Sequence, residues 1–406
     1  MKTLYNLPKK IIFCKKCVMS NQRPSSFPEF KHTKNRKGAK YLNINPKTGI
    51  CDACVVSENK KKINWKSREE ELLKVLDKHR GKYPDYDCIV PGSGGKDSVY
   101  ASYILKYKYG MNPLTITWPP ILYTDYGLRN FNRWIENGGF DNLTIKPSGK
   151  VMKILTRLSI INLLHPFQTF VFGQKNLAPK IAKKFNIPLV FYGENEAEYG
   201  NPIEDNNNAI RKSSYFTIEN IKKSYLAGIS IDEIIKKYKL SYKDLSVFLP
   251  LEKKEIKKLK IEVRYLGYYL KWIPQESYYF SVEKTGFEPR PFRTQGTYSK
   301  YNSIDDKIDD LHYYTTYIKY GYGRASHDAS QEIRNDHINR KEALSLVKKF
   351  DGEFPDKYFY EILEYLDLDP LKFHKLCNNF RSPHIWKKTS KGYLLRHTAN
   401  QDGTDD

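Results

Sequence analysis

Residues 88–110, CIVPGSGGKDSVYASYILKYKYG, place a glycine-containing loop between a short apolar run and a helix. The run at 86–90 carries no charge after Asp87, which is typical of a strand that is covered on both faces. The helix is predicted over residues 96–109, with Gly110 as its C-cap. Glycines let backbone amides turn inward, and a helix start adds its own amides and dipole. The loop is therefore predicted to bind an anion.

Two further apolar runs extend this unit into a sheet. Residues 112–118, NPLTITW, are β-branched and apolar, and residues 187–201 begin with a similar run. Strand, helix and strand in this order predict an α/β fold with a doubly wound parallel sheet. Ligands of such sheets lie at the carboxyl ends of the strands. We expect three loops to meet there, namely residues 91–98, 118–130 and 193–199.

Four of the six cysteines form two CxxC pairs, Cys14 with Cys17 and Cys51 with Cys54. Two such pairs can place four thiolates tetrahedrally around Zn²⁺, and the metal would offset the small apolar core of a Lys- and Pro-rich segment. We interpret residues 1–62 as a zinc-ribbon-like module with a structural zinc site. Four free thiols and a redox CxxC pair are the alternatives, and the doubled spacing disfavours both.

The net charge of the 406-residue chain is +23, and residues 1–62 hold 15 Lys and Arg against 3 Asp and Glu. A basic balance suits nucleic acid, an anionic membrane surface or a phosphorylated small molecule, and it also suits a solvated lysine-rich surface. The hydrophobic share of 40% and the aromatic share of 14% predict a folded globule.

The remainder of the chain predicts a different organisation. Residues 211–271 are Lys-rich and predict helices, residues 281–306 predict mostly loop, and helices return from Ile308 onward. We therefore divide the chain into a zinc-binding module at 1–62, an α/β core at 63–210, and a mainly helical and loop part at 211–406. The last part is expected to bind substrate and partner and to complete the core.

No run of about 20 uninterrupted apolar residues is present, and no segment resembles a secretory signal. The most apolar segment, residues 158–172, is interrupted by His165 and Pro166. We expect a soluble, cytoplasmic protein without membrane insertion. Its two remaining cysteines, Cys88 and Cys377, are expected to be buried and structural.

The glycine loop has the sequence Ser93-Gly94-Gly95-Lys96-Asp97-Ser98, which is neither the Walker pattern nor the dinucleotide fingerprint. It resembles the pyrophosphate loop, SGGxDS, of the N-type ATP pyrophosphatase (PP-loop) superfamily, whose members cleave ATP between the α and β phosphates. The resemblance implies that all six residues bind the nucleotide. It also implies that Asp97 binds Mg²⁺ and that Lys96 stabilises charge on the departing pyrophosphate.

Longer motifs narrow the resemblance to one family. Together with the CxxC pairs and the loop, these motifs are similar to those of the N-acetyl sugar amidotransferase family, nearly from end to end. The family acts in pathways of surface polysaccharide, such as lipopolysaccharide O-antigen, and of nonulosonic acids. The motifs are residues 124–142, 190–200, 296–334 and 342–355.

The resemblance implies that ATP adenylates the acetamido oxygen of an N-acetylated sugar, and that ammonia then displaces AMP to give an acetamidino sugar. Adenylation is chemically necessary because an amide is a poor electrophile and its oxygen a poor leaving group. The implied substrate is an N-acetylated nucleotide sugar or nonulosonic acid. The implied ammonia source is a separate glutaminase, similar to the histidine-pathway glutaminase and cyclase pair. ATP, Mg²⁺ and Zn²⁺ are the implied cofactors.

The resemblance, together with the predicted carboxyl ends of the strands, suggests further site residues. Thr117 and Trp118 are expected near adenine, and Gly193, Glu194 and Asn195 near the α-phosphate or the substrate. The expected catalytic residues are Lys96, Asp97 and Glu194.

Candidate contacts to sugar or phosphate lie in the later motifs, and they are Tyr298, Lys300, Asp305, Asp306, Arg324 and Arg334. His312 and His327 are candidate proton carriers. Each of these residues has an ordinary structural alternative, namely a surface ion pair or a buried histidine.

Two other functions fit parts of the sequence. A tRNA-modifying PP-loop enzyme, which adenylates a base, would use the basic residues 1–62 against phosphates. The later motifs and the absence of a persuasive extra cysteine for sulfur transfer disfavour it, so nucleic acid is not the expected partner. A non-catalytic scaffold in a sugar-modifying assembly is disfavoured by the intact Asp97 and Ser98.

Overall fold

The computed structural model describes residues 1–25, 41–199, 208–221 and 224–401. Its strands are β1 Cys88–Pro91, β2 Pro113–Thr117, β3 Asn142–Thr144, β4 Leu189–Tyr192, β5 Thr217–Ile218, β6 Tyr225–Leu226, β7 Ile229–Ser230, β8 Leu251–Glu252, β9 Glu262–Tyr265, β10 Trp386–Thr389 and β11 Gly392–Leu395. Its helices are α1 Asp52–Lys60, α2 Trp65–Asp77, α3 Lys96–Tyr103, α4 Asp125–Glu136, α5 Gly149–Leu163, α6 Gln168–Phe185, α7 Ile231–Tyr238, α8 Tyr242–Ser246, α9 Lys253–Leu259, α10 Leu266–Tyr269, α11 Pro274–Thr285, α12 Ile308–Tyr320, α13 Arg324–Arg334, α14 Arg340–Phe350, α15 Asp356–Tyr365 and α16 Pro370–Phe380.

The central sheet has the strand order β3-β2-β1-β4-β9, and each neighbouring pair is parallel. The register pairs Ile89 of β1 with Leu114 on one side and with Val190 on the other. Because all five strands run the same way, the loops that follow β1, β2 and β4 leave from one edge of the sheet. This arrangement confirms the predicted parallel α/β class.

Both faces of the sheet are covered. Ile89 packs in a buried cluster with Leu155 of α5, whereas its neighbour Val90 packs in another cluster with Leu72 of α2. Successive side chains of a strand point to opposite faces, so one four-residue strand serves two cores. Its apolar run without alternating polar residues follows from this double burial.

The helix after the loop is close to its predicted extent. α3 continues as a π-helical turn, Ile104–Lys108, and Gly110 follows in the left-handed region with φ +63°. A glycine tolerates that conformation without steric cost, so it ends the helix as predicted.

The prediction that residues 211–271 are helical is wrong in part. The helices α7 to α10 are short and alternate with strands, and β9 joins the central sheet beside β4. Val263 and Tyr265 are buried while Glu262 and Arg264 are partly exposed. This alternation spans only four residues, which is too short to stand out from the surrounding lysines.

The N- and C-terminal parts pack on each other. The four paired cysteines share a buried cluster with Ala329 and Ile333 of α13 and with Ala343 of α14. The helices α12, α15 and α16 form another core with Ile160 and Phe167. None of the helices in the described ranges combines the length and apolarity that crossing a bilayer requires.

Candidate active site

The glycine loop folds tightly between β1 and α3. Gly94 has φ +84°, and a Cβ atom there would lie 2.7 Å from the backbone Cα of Phe131. A side chain is therefore excluded at Gly94 by both conformation and space. The Ser98 hydroxyl donates to the carbonyl of Gly95 at 2.8 Å, which fixes the first turn of α3. The loop thus presents its backbone at a helix N-terminus, as an anion site requires.

The loops after β1 and β4 touch directly. A Cβ atom on Gly193 would lie 2.2 Å from the carbonyl oxygen of Asp97. Glycine at this position is therefore required by the close approach of two backbones. Glu194, the next residue, lines the same cavity as Asp97.

Both carboxylate oxygens of Asp97 have partners. Lys96 Nζ lies 2.6 Å from Oδ2, and Trp272 Nε1 donates to Oδ1 at 2.8 Å. The Asp97 side chain is 19% exposed, so it faces the cavities rather than the core. The carboxylate is consequently held in one orientation at the start of α3.

The first of two cavities at the loop lies at the carboxyl ends of the strands and measures about 370 Å³. We call it the strand-end cavity and define it by Ser93, Asp97, Trp118, Gln174, Glu194 and Arg211. The buried Trp118 Nε1 atom has no hydrogen-bond partner within the described residues. A flat ring with a spare donor is suited to a nucleobase.

The strand-end cavity includes Trp118 but not its predicted companion. The hydroxyl of Thr117 is buried and accepts a hydrogen bond from Asn142 Nδ2 at 3.0 Å. Thr117 therefore supports β3 rather than the cavity.

The second cavity measures about 330 Å³ and lies on the other side of the same loop. We call it the acidic cavity and define it by Ser93, Asp97, Asp305, Asp309, His312 and Arg324. The Ser93 hydroxyl donates to Asp305 Oδ2 at 2.8 Å. Ser93, Gly95, Asp97, Val171, Gln174 and Tyr199 line both cavities, so the two cavities adjoin at the glycine loop, at α6 and at the segment after β4.

The carboxyl groups of the acidic cavity differ in their surroundings. Asp306 accepts backbone hydrogen bonds from Ile121, Leu122 and Ile308, yet burial raises its pKa to about 7. Burial, together with the charges of Asp305 and Asp306, raises the pKa of Asp309 well above its usual range. The surroundings of Asp306 and Asp309 therefore favour the protonated carboxylic acid, the form that can donate a hydrogen bond.

A histidine and an arginine, His312 and Arg324, also line the acidic cavity. Burial, and then the neighbouring His165, lower the pKa of His312 well below its usual range, so its imidazole is neutral. Arg324 donates to Asp328 at 2.7 Å and to the Tyr313 hydroxyl at 2.9 Å. Burial opposes ionisation of Asp328, but the Arg324 guanidinium, His327 and the Thr297 hydroxyl together outweigh it and lower the pKa of Asp328 to about 2.

Asp305, Asp306 and Arg324 thus line the acidic cavity, but the other predicted sugar contacts lie elsewhere. Tyr298 packs with residues around the cysteines, and Lys300 is exposed. Arg334 is buried and donates to the carbonyl of Glu198 at 2.9 Å. The structure does not bring these three side chains to either cavity.

Two further predicted residues have structural contacts. The side-chain Oδ1 of Asn195 accepts from the Ala197 amide at 3.1 Å, which caps a 3₁₀ turn. The ring of His327 stacks on Tyr199 with centroids 5.8 Å apart. Neither residue is among those that line the two cavities.

Sequence reasoning missed several residues that line the cavities or contact the loop, namely Gln174, Lys175, Tyr199, Arg211, Trp272 and Asp309. Asp309 belongs to the acidic run of Asp305, Asp306, Asp309 and Asp310, and this cluster of carboxylates was a usable signal. The others come from distant segments, and no local pattern marks them.

The four paired cysteines form a metal-binding geometry. Their sulfur atoms all lie within 4.8 Å of one another, and the four residues are fully buried. The Cys14–Cys54 and Cys17–Cys51 sulfur distances are 3.9 and 3.7 Å. Tetrahedral zinc with Zn–S bonds of about 2.3 Å needs sulfurs about 3.8 Å apart. The tetracysteine cluster therefore fits one Zn²⁺ ion, as predicted.

Part of the acidic cavity comes from a segment that matches a known protein family. Residues 295–399 match the family model of the WbpG-like LPS biosynthesis protein, C-terminal domain. The match confirms the expected resemblance over these residues and its connection with lipopolysaccharide. We call residues 295–399 the WbpG-like segment. Four of the residues that define the acidic cavity belong to it, namely Asp305, Asp309, His312 and Arg324.

One curated relative matches a shorter segment. Uncharacterized protein MJ1599 of Methanocaldococcus jannaschii is 49% identical over 51 residues, which are 13% of this chain and 17% of that protein. The chain therefore spans about a sixth of the length of that curated relative.

Solved structures match with low scores. An NH3-dependent NAD synthetase from Campylobacter jejuni has a TM-score of 0.27 and 14% identity, covering 33% of this chain and 58% of that chain. The U34-tRNA thiolase NcsA from Methanococcus maripaludis has a TM-score of 0.30 and 14% identity, covering 76% and 87%. NMN synthetase from Francisella tularensis has a TM-score of 0.27 and 15% identity, covering 62% and 93%. At these scores we draw no functional argument from the likeness.

Proposed function

We propose that the protein is an ATP-dependent amidotransferase that converts the acetamido group of an N-acetylated sugar into an acetamidino group. The observation that carries the proposal is the position of the loop Ser93–Asp97 between two cavities. ATP in the strand-end cavity and an acceptor in the acidic cavity would meet at this loop. Such an arrangement suits transfer of AMP from one ligand to the other.

The nucleotide would lie along the loop. Backbone amides of the loop would hold the β and γ phosphates, the hydroxyls of Ser93 and Ser98 would turn from Asp305 and the Gly95 carbonyl to join them, and the adenine ring would approach Trp118. The Asp97 carboxylate is the oxygen donor for Mg²⁺, which neutralises phosphate charge when bound. Lys96 is within reach of the departing pyrophosphate because it already contacts Asp97.

The acceptor would occupy the acidic cavity. Carboxyl groups of Asp305 and Asp309 suit sugar hydroxyls, and the rings of Phe287 and Tyr301 suit the apolar faces of a sugar. The WbpG-like segment, which carries three of these four residues, supports a substrate from surface-polysaccharide or nonulosonic-acid biosynthesis. The acetamido oxygen would attack the α-phosphorus, the bond to pyrophosphate would break, and AMP would be joined to the imidate oxygen.

Ammonia would complete the reaction. Its lone pair would attack the imidate carbon, the carbon–oxygen bond would break, AMP would leave, and loss of a proton would give the amidine. A separate glutaminase is the proposed source of ammonia. The two cysteines outside the tetracysteine cluster, Cys88 and Cys377, are buried, and burial raises the pKa of the Cys377 thiol to about 12. Neither of them is suited to be a glutaminase nucleophile.

Mass spectrometry of the reaction products tests the proposal. The protein is incubated with ATP, Mg²⁺, ammonium salt at mildly alkaline pH and a panel of N-acetylated nucleotide sugars and nonulosonic acids. Replacement of an amide oxygen by NH lowers the sugar mass by about one unit, with AMP and pyrophosphate as co-products. AMP without the mass change would mean that the acceptor is of another class. ADP and phosphate would contradict the proposal.

A further inference from the structure

The two oxygens of the Asp97 carboxylate are held by unequal partners. Lys96 Nζ, at Oδ2, belongs to a flexible side chain that lines the acidic cavity. Trp272 Nε1, at Oδ1, belongs to a side chain that is 1% exposed. The lysine is able to exchange Asp97 for a phosphate, whereas the buried indole has no space to turn away. The Oδ1 contact therefore determines how the carboxylate is oriented.

The backbone carbonyl of Trp272 is hydrogen-bonded to the ammonium group of a buried lysine, Lys60. Lys60 Nζ donates this hydrogen bond, and Lys60 pairs with Glu198 at 2.8 Å. Lys60 is 7% exposed and Glu198 is 1% exposed. A buried pair of this kind is costly to break, because the partner that remains is an unpaired charge. The Trp272 carbonyl is therefore fixed from outside its own segment.

Lys60 leads directly to the tetracysteine cluster. It is the last residue of α1, and the same helix carries Cys54 and begins immediately after Cys51. A second connection runs from Glu198, whose carbonyl accepts from Arg334 Nη2 at 2.9 Å. Arg334 lines a small void together with Cys51. Both connections between the metal-binding module and the tryptophan that holds Asp97 thus converge on Lys60.

We propose that Trp272 is a positioning residue for Asp97, and that Lys60 ties this contact to the tetracysteine module, so that the module holds the nucleotide loop in its binding geometry. The inference rests on the proposed function, since it assigns Asp97 to Mg²⁺ and nucleotide. It extends that function by giving the module a role in ligand binding besides its own folding.

The first test compares Trp272→Phe with Trp386→Phe in the full chain. Trp386 is the matched control because its buried Nε1 donates at 2.8 Å to the carbonyl of Ile318, far from both cavities. Calorimetry measures binding of a non-hydrolysable ATP analogue with Mg²⁺, and the melting temperature and metal content are recorded alongside. We expect about tenfold weaker binding for Trp272→Phe and unchanged binding for the control.

The second test asks whether Lys60 acts through Trp272. Lys60→Met alone leaves Glu198 unpaired and endangers folding, so the variant is Lys60→Met with Glu198→Leu, which removes both charges. We expect this variant to keep its metal and to bind the nucleotide analogue several-fold more weakly. Added to Trp272→Phe, it is expected to cause little further loss, because both changes free the same carboxylate.

The outcomes separate this inference from the proposed function. Wild-type protein that binds no Mg²⁺–nucleotide contradicts both. Wild-type binding with an unchanged Trp272→Phe variant overturns only the positioning role. Additive losses from the Lys60 and Trp272 changes overturn the connection between the module and the loop.

Discussion

The two cavities at the glycine loop are built in different ways. The strand-end cavity takes its walls largely from segments that follow β1, β2 and β4, which are neighbours in one sheet. The acidic cavity takes its wall from the WbpG-like segment, and its contact between Ser93 and Asp305 joins residues 212 positions apart. Parallel topology therefore accounts for the first cavity, while the second depends on docking of a remote segment.

This difference suggests that the two cavities bind different ligands. On the proposed function, the sheet edge would bind the nucleotide, and the segment that closes the other side would select the acceptor. Substitutions in the glycine loop, which lines both cavities, should alter both nucleotide affinity and the KM of the acceptor. Substitutions that touch a single cavity should alter only one of these two quantities.

The largest expected effect is at Asp97, which the two cavities share. Asp97→Ala should lower AMP formation by about a thousandfold, because the carboxylate that orients Mg²⁺ and phosphate is lost. The melting temperature should fall by only a few degrees, because the buried Trp272 Nε1 loses its acceptor while the Asp97 side chain itself is partly exposed. Asp85→Ala, at an exposed position before β1, is the control. Full turnover in Asp97→Ala would remove this residue from the mechanism.

Loss of the metal should disturb both cavities, because α13 packs on the cysteines and begins with Arg324, and because Lys60 of α1 contacts Trp272. Cys14→Ser should lose its zinc and lower the melting temperature by about 10 °C. Cys377→Ser, in the other core, should keep the metal. Metal analysis and calorimetry check both variants, and an unchanged zinc content in Cys14→Ser would refute the site.

Two adjacent glycines should separate folding from binding. Gly94→Ala places a methyl group against the backbone of Phe131 and should destabilise the fold by about 2 kcal/mol. Gly95→Ala meets nothing within 4 Å and should keep the fold, but its methyl group would enter the cavities and weaken nucleotide binding about tenfold. Urea unfolding and calorimetry measure the two effects. Equal stability losses would contradict the described loop geometry.

A reciprocal pair of variants tests the division between the cavities. Asp305→Asn keeps an acceptor oxygen for Ser93 and should raise the acceptor KM several-fold while nucleotide affinity changes little. Trp118→Phe should lower nucleotide affinity while the acceptor KM stays nearly constant. Kinetics with each ligand varied in turn measure both. If the two variants alter the same parameter, the cavities do not have separate ligands.

The last expected effect is a pH dependence of stability from Asp306. Its folded pKa of about 7 lies above the unfolded value, so its stabilising contribution is complete below the unfolded pKa and is lost as pH rises through 7. Between roughly pH 5 and pH 8 this loss should be about 2–3 kcal/mol. Asp306→Asn should flatten that part of the unfolding curve. An identical slope in wild type and variant would show that Asp306 does not titrate there.

Local sequence was sufficient for the features whose partners are close along the chain. The predictions made for the glycine loop, for strands β1 and β2 and for the CxxC pairs are all confirmed. The failure at residues 211–271 has the same origin, because β9 is too short for its alternation to be recognised without its partner β4. Asp309 could have been predicted from the sequence because it belongs to the same acidic run as Asp305 and Asp306.

The sequence by itself determined the parallel α/β core, the anion-binding loop and the tetracysteine cluster, because glycine conformation, strand burial and cysteine spacing are local constraints. Only the tertiary structure decided which remote side chains complete the site. Trp272 reaches Asp97 across 175 positions, and Arg334 lies beside the cysteines rather than the acidic cavity. Such contacts depend on the packing of whole elements, and no short pattern in the chain encodes which buried donor will meet which acceptor.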